Sequence, residues 1–138
     1  MKALALTNPQ RVILYVSACW VGKTHDYRIL REEFPPHEHW FAAFQVRVDL
    51  GFFGMEKDFI CQELCIPHKK PKKKELTPEQ KAENKVLASK RIVVEHALAG
   101  LKRYRILSDR LRMHDFRFYD VILGVCAGLW NFYLSCCI

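Results

Sequence analysis

Residues 11–34 read RVILYVSACWVGKTHDYRILREEF, an apolar run followed by Gly22-Lys23-Thr24 and then by a helix-like stretch. Strand, Gly-Lys-Thr and helix in this order are typical of a phosphate-binding loop. That loop also needs a glycine five residues before Gly22, where this chain has Ser17. The residues between them, among them Trp20, are too bulky for backbone amides to wrap a phosphate. The stretch therefore predicts a strand-to-helix turn and argues against a nucleotide-binding protein.

The elements that flank this turn predict a mixed α/β fold. Upstream, two strand-like segments lie on either side of Asn8-Pro9-Gln10, a turn signal, so we expect a β-hairpin. Downstream, Asp26 is expected to cap a helix over about residues 27–34, which Pro35-Pro36 would end.

A later strand-like segment, residues 41–50, ends close to a carboxylate. Phe44, Val46 and Val48 alternate with polar residues, as in a half-buried strand. The pattern predicts a strand whose last residue is Asp49. Because open α/β sheets place their sites at the carboxyl ends of strands, Asp49 is a candidate site residue.

Positive charge is concentrated in the second half of the chain. Residues 1–68 contain 7 Lys and Arg against 8 Asp and Glu, whereas residues 69–138 contain 15 against 7, a net charge of +8. An excess of this size indicates a polyanionic partner, such as nucleic acid or an anionic membrane. A solvated basic face is the alternative.

A basic segment precedes a strong helix start. Residues 66–76 contain five lysines around Pro71 and predict an exposed loop. Immediately after it, Thr77-Pro78-Glu79-Gln80 places Thr at the cap, Pro at the first helical position and Gln three residues after Thr. This pattern predicts a helix from about Pro78 to Gly100 or a little beyond.

The C-terminal segment predicts a helix in the core of the protein. We expect it to begin near His114 or Asp115 and to bury Phe118, Val121, Ile122, Val125, Leu129 and Phe132. Its apolar run, residues 121–134, is 14 residues long. A membrane span needs about 18 or more, so no membrane partner is expected.

Cysteine usage is typical of a reducing compartment. The chain has six cysteines and no N-terminal stretch that resembles a secretory signal. Cys61, Cys65 and His68 offer three metal ligands, but no fourth partner completes the regular spacing of a structural zinc site. Reduced thiols are therefore expected.

Two carboxylates form a candidate site. Glu95 lies in KRIVVEHALAG, at the edge of the apolar stripe of its predicted helix, 46 residues after Asp49. An ion pair with Arg91 or Lys102 would satisfy it. Alternatively, both acids bind divalent cations, which prefer oxygen ligands and, as a pair about 4 Å apart, cleave phosphodiesters.

Five stretches together resemble a known family. They are GKTHDYRIL (22–30), VDLGFFG (48–54), IPHKKPKKKELTPEQKAENK (66–85), KRIVVEHALAGLKRYRILSDRLR (90–112) and AGLWNFYL (127–134). In this order they resemble the second half of a DDE-superfamily transposase of the Harbinger-like group. The resemblance covers nearly the whole chain.

The resemblance implies a ribonuclease-H-like mixed sheet with flanking helices and a three-acid site that holds Mg²⁺ or Mn²⁺. Asp49 matches the second catalytic acid of the family and Glu95 matches the third. His25 and Asp26 match a motif that supports the site. The family cuts and joins DNA, so the implied partners are the transposon ends and the target DNA.

The chain departs from the family pattern at its start. The first catalytic aspartate of the family precedes the hairpin, and no aspartate precedes Asp26 here. We therefore expect residues 1–138 to be one partial catalytic domain that lacks the first strand and is weakly active or inactive alone. The missing strand would leave an unpaired edge that invites association with a second copy or with an intact transposase.

Eight basic residues are expected to contact the DNA backbone: Lys69, Lys70, Lys72, Lys73, Lys74, Arg91, Lys102 and Arg103. For the lysine run, a solvated loop and a nuclear-import signal are the alternatives. A non-catalytic DNA-binding protein, or a remnant that interacts with a transposase, is the alternative function. We expect the nucleoid-containing cytoplasm if the source is bacterial and the nucleus if it is eukaryotic.

Overall fold

The chain contains both short strands and helices, which confirms the predicted mixed α/β class. The structure is a computed structural model that describes residues 1–109 and 115–137. Its elements are β1 (Ala5–Thr7), β2 (Ile13–Val16), α1 (Asp26–Glu33), β3 (Gln45–Arg47), a 3₁₀ turn (Leu50–Phe52), α2 (Met55–Asp58), β4 (Glu63–Cys65), α3 (Pro78–Lys102), α4 (Arg105–Ser108) and α5 (Phe116–Cys136).

The chain divides into two units, which are described separately. The hairpin unit comprises Met1–Thr24 and Val93–Ile138, and the middle unit comprises His25–Ile92. Within the described residues, the strands form two two-stranded sheets, the antiparallel pair β1–β2 and the parallel pair β3–β4. A ribonuclease-H-like sheet is compatible with these elements and stays a prediction.

The predicted hairpin is confirmed. Strands β1 and β2 pair with Ala5 opposite Val16, and the register shifts between Leu6 and Thr7. The side chain of Asn8 holds the turn, because its Oδ1 accepts hydrogen bonds from the backbone N–H groups of Gln10 and Val12, each at 3.0 Å. The turn signal in the sequence therefore acts through the asparagine side chain.

Helix α5 is fixed to the hairpin by polar groups as well as by its core contacts. The amide of Asn131 makes two hydrogen bonds to the backbone of Ile13, both at 2.8 Å. Asp120 accepts from the N–H of Cys19 at 2.7 Å, and the indole of Trp130 donates to the carbonyl of Arg11 at 2.9 Å. Side chains of α5 thus satisfy backbone N–H and C=O groups of the hairpin segment that have no strand partner. These hydrogen bonds fix the position of the helix on the hairpin.

The core of the hairpin unit consists of Ile13, Ala97, Leu101, Leu123, Cys126, Ala127 and Trp130. The predicted buried face of α5 was wrong, because Val121 and Phe132 are 62% and 68% exposed. Phe118, Val125 and Leu129 are exposed as well, and Ile122 is partly buried against the core. Apolar residues occur on every side of the helix, so their periodicity alone does not select a face.

Helix α5 is longer than the apolar run of residues 121–134, whose shortness was the reason to expect no membrane span. It has 21 residues, and its most apolar window has a mean hydropathy of 1.2, which is enough to cross a membrane by length and composition alone. Core helices of soluble proteins pass the same test. The expected absence of a membrane partner therefore stays a prediction.

The middle unit has its own small core, formed by Ile29, Leu30, Phe41, Met55 and Phe59. The rings of Phe34, Phe41 and Phe59 lie in a row, with centroids 5.4 and 5.7 Å apart. Strand β4, which the sequence did not predict, pairs with β3 so that Val46 is opposite Leu64. This strand pair holds the segment that leads to Asp49.

The predicted start of α3 is confirmed. The N–H of Gln80 donates to Thr77 Oγ1, and the N–H of Thr77 donates to Gln80 Oε1, both at 3.2 Å, as in a capping box. The helix extends to Lys102, slightly beyond the expected end. All six cysteines are free thiols.

Candidate metal centre and nucleic-acid interface

Asp49 lies at the end of the β3 segment but not in the strand. Strand β3 ends at Arg47, so the prediction that Asp49 is the last strand residue was wrong by two positions. Asp49 instead caps the 3₁₀ turn, with its Oδ1 accepting from the N–H of Leu50 at 2.6 Å. The short carboxylate of Asp49 can accept a hydrogen bond from the backbone that follows it, and this favours a turn over continuation of the strand.

The carboxylate of Asp49 has one anchored oxygen and one open oxygen. Oδ1 also forms an ion pair with Arg91 Nη1 at 2.8 Å, whereas no described residue donates a hydrogen bond to Oδ2. The Asp49 side chain is 58% exposed. An exposed carboxylate oxygen without a protein donor is a ligand of the type that Mg²⁺ and Mn²⁺ prefer.

Arg91 lies in α3 and was predicted to contact DNA. In the structure its guanidinium forms an ion pair with Asp49, and only 30% of its side chain is exposed. Its surroundings thus differ from those of the exposed lysines in the basic loop. The prediction of a phosphate contact at Arg91 is untested.

His25 and Asp26 lie at the start of α1, and the prediction that Asp26 caps this helix was wrong. His25 is the cap, with its Nδ1 accepting from the N–H of Tyr27 at 3.3 Å, and Asp26 is the first helical residue. Asp26 therefore acts on the helix dipole, as an acid in the first turn does. The predicted end of the helix before Pro35 is confirmed.

The carboxylate of Asp26 lies against the turn that Asp49 caps. A Cβ atom at Gly51 would lie 2.9 Å from Asp26 Oδ2, so the glycine gives this carboxylate room. Tyr27, the next residue, donates to Asp58 and, at 3.3 Å, to the carbonyl of Gly54. Burial, followed by the hydrogen bond to Asp58, raises the pKa of Tyr27 to about 12, so the hydroxyl keeps its proton. These contacts join α1 to the candidate site.

Glu95 lies in the hairpin unit, on an exposed position of α3, while Asp49 belongs to the middle unit. The predicted pairing of the two acids around a metal stays a prediction, as do the ion pairs with Arg91 and Lys102. Within residues 1–109 and 115–137, no group of three or more His, Cys, Asp or Glu side chains is placed to hold a metal ion. Whether Cys61, Cys65 and His68 bind zinc is untested.

The root of the basic loop, residues 66–76, is fastened to α3. The N–H of His68 donates to Asn84 Oδ1 at 2.7 Å, and Asn84 Nδ2 donates back to the carbonyl of His68 at 3.1 Å. The His68 ring lies 2.5 Å from Glu83 Oε2. Sequence reasoning did not assign a role to Asn84, although it belongs to the motif LTPEQKAEN that carried the resemblance.

The five lysines of the loop have different surroundings. Lys70 forms an ion pair with Glu75, and this pairing, together with Lys81, lowers the pKa of Glu75. Lys69 lies over the ring of Phe53, with Nζ 5.2 Å from its centroid. Lys72, Lys73 and Lys74 are exposed and make no ion pair with any described residue. These three are the best placed to contact phosphates.

The last two predicted DNA contacts lie at the end of α3. Lys102 is the final residue of the helix and is exposed. Arg103 lies over the ring of Tyr133 in α5, 5.0 Å from its centroid. A guanidinium stacked in this way keeps its edge N–H groups available to an anion.

Comparison with known proteins identifies the family. The model of the DDE superfamily endonuclease family matches residues 1–131. Over 114 residues the chain is 35% identical to the probable transposase for insertion sequence element IS702 of Microchaete diplosiphon, an alignment that covers 83% of this chain and 39% of that protein. No solved structure matches the chain significantly. The chain thus belongs to the DDE superfamily endonucleases, and it spans about 39% of the length of this relative.

Proposed function

We propose that the chain is part of the catalytic domain of a DDE transposase that cleaves and joins DNA ends. The family match over residues 1–131 carries this proposal, since it includes both candidate acids and the whole basic loop. The relative named as a transposase supports the same class.

Asp49 and Glu95 are the proposed ligands of Mg²⁺ or Mn²⁺, which would activate a water and stabilise the leaving oxygen of the phosphodiester. The open Oδ2 of Asp49 supports this role, while Leu50 N–H keeps the other oxygen fixed. His25 and Asp26 support the site by placing α1 against the 3₁₀ turn. Residues that fix a ligand in this way commonly determine how well a metal binds.

The basic loop is the proposed contact with the DNA backbone, together with Lys102 and Arg103. The Asn84 and Glu83 contacts support this proposal, because they hold the root of the loop and leave Lys72, Lys73 and Lys74 exposed. The proposed partners are transposon ends, target DNA and a second copy or an intact transposase. The proposed location is the bacterial nucleoid or, in a eukaryote, the nucleus.

Nicking of supercoiled plasmid tests this function. With Mn²⁺ or Mg²⁺ we expect slow nicking by the wild-type chain, none in EDTA, and loss of nicking in Glu95→Gln and Asp49→Asn. Each variant replaces the carboxylate of one proposed ligand by an uncharged amide of nearly the same shape. Nicking that persists in both variants would show that these acids do not carry the reaction.

A non-catalytic DNA-binding protein is the second candidate. The net charge of +8 in residues 69–138 favours it, and so does the ion pair that already occupies Asp49. This candidate predicts that the protein retards plasmid in a gel without nicking it and that EDTA leaves the retardation unchanged. Metal binding at Asp49 and Glu95 separates the two functions, since only the nuclease needs it.

A further inference from the structure

One contact is unexpected at a proposed metal ligand: the guanidinium of Arg91 forms an ion pair with Asp49. Arg91 Nη1 lies 2.8 Å from Asp49 Oδ1, and both residues belong to the middle unit. The same oxygen accepts from the N–H of Leu50 at 2.6 Å. The carboxylate therefore has a positive neighbour at one oxygen, and no described residue donates a hydrogen bond to the other.

We propose that Arg91 is an internal counter-ion of Asp49 that opposes divalent cations and so sets the metal affinity of this chain. The proposal rests on the proposed function, because it takes Asp49 as a metal ligand. It gives Arg91 a role in metal binding, in addition to the predicted contact with DNA. Arg91 is a positioning residue here and does not itself hold the metal.

Two opposite effects of Arg91 on metal binding have to be weighed. A guanidinium can orient a carboxylate and so assist a metal, but it also repels a cation of charge +2. Orientation does not depend on Arg91, because the N–H of Leu50 already holds Oδ1 as part of the cap of the 3₁₀ turn. Repulsion therefore dominates, and removal of the charge should strengthen metal binding.

The expected change in metal affinity on removal of Arg91 depends on how exposed Asp49 and Arg91 are. Asp49 is 58% exposed and Arg91 is 30% exposed, so solvent screens the repulsion strongly. Between a divalent cation and a guanidinium a few Å apart at such a site, the repulsion amounts to about a tenfold change in affinity at low salt. Salt should reduce the difference.

The test is an EPR titration of Mn²⁺ with the full chain, without DNA. We expect Arg91→Gln to bind Mn²⁺ about tenfold more tightly than the wild type. Arg91→Lys keeps the charge and loses the planar fork, so its affinity should remain close to that of the wild type. Asp49→Asn in the Arg91→Gln background should remove the gain. Arg91→Met serves as a second neutral variant if Arg91→Gln folds poorly, as judged by circular dichroism.

Three results would overturn the proposal, and they differ in what else they overturn. If the wild type binds Mn²⁺ and the neutral variants bind it equally or more weakly, Arg91 is not a counter-ion but the metal site stands. If neither the wild type nor the neutral variants bind Mn²⁺, the metal site at Asp49 is wrong as well. If Arg91→Lys gains as much as Arg91→Gln, the effect comes from packing and not from charge.

Discussion

Replacement of Trp130 by Ala should lower the free energy of unfolding by about 3–5 kcal/mol, the loss expected for truncating a buried aromatic residue. Trp130 is 6% exposed, and its ring lies directly over Gly100, where a Cβ atom would be only 2.4 Å away. Its indole also donates to Arg11 at the hairpin turn. The substitution therefore removes packing of α3 on α5 and a bond to the hairpin at once.

Urea denaturation followed by circular dichroism measures this loss, and Phe132→Ala is the matched control. Phe132 lies two residues further along α5 and is 68% exposed, so its removal should change the free energy of unfolding by less than about 0.5 kcal/mol. A similar loss in both variants would show that the exposed face of α5 is packed in solution. It would then contradict the assignment of the two faces.

Replacement of Lys72, Lys73 and Lys74 by Gln should weaken DNA binding by about 10²–10³-fold at 50 mM salt. Each phosphate contact releases counterions and contributes about −0.9 to the slope of log affinity against log salt, so the slope should fall in magnitude by about 2.7. For the wild type, 6–10 phosphate contacts would give a loss of about 10³–10⁵ between 50 and 200 mM salt. Fluorescence anisotropy of a labelled duplex over this range measures both quantities.

The control for the lysine variant carries the same change of charge elsewhere. Lys23, Arg28 and Lys57 are exposed and lie outside the basic loop, and their replacement by Gln should leave the slope nearly unchanged. An equal effect in the control would mean that the whole charge of the protein, and not the loop, attracts DNA. A flat salt dependence in the wild type would contradict phosphate binding altogether.

Local signals in the sequence were sufficient for several elements. The turn signal Asn8-Pro9-Gln10 predicted the hairpin, and Thr77 and Gln80 predicted the start of α3. Helix α5 begins close to the expected start, with Asp115 as its cap. In each case the deciding interaction is made within a few residues, so the pattern alone contains it. His114, the other predicted start of α5, lies outside the described residues.

Features that depend on distant residues were not predicted. Strand β4 has only three residues and exists because it pairs with β3. The buried face of α5 is marked by Asp120 and Asn131, three turns apart, which bond to the hairpin backbone. Two polar residues on one side of an otherwise apolar helix could have identified that face, since each needs a partner when it is buried.

The sequence predicted which residues belong to the candidate site but not which of them are in contact. Asp49 and Arg91 were each assigned, one to the metal and one to DNA, yet the structure joins them in an ion pair. Nothing in the spacing of 42 positions between them indicates this contact, which depends on how α3 lies in the middle unit. The His68–Asn84 contact has the same origin.

The central claim is that Asp49 and Glu95 are metal ligands of a DDE endonuclease site, and calorimetric titration with Mn²⁺ tests it most directly. We predict that the wild type binds Mn²⁺ and that Asp49→Asn and Glu95→Gln each weaken binding by at least about tenfold. Mutation of residues that only hydrogen-bond to metal ligands already weakens metal binding by about tenfold or more, so loss of a ligand should cost at least as much. Unaltered binding in both variants, or no binding by the wild type, would contradict the claim and favour a non-catalytic DNA-binding protein.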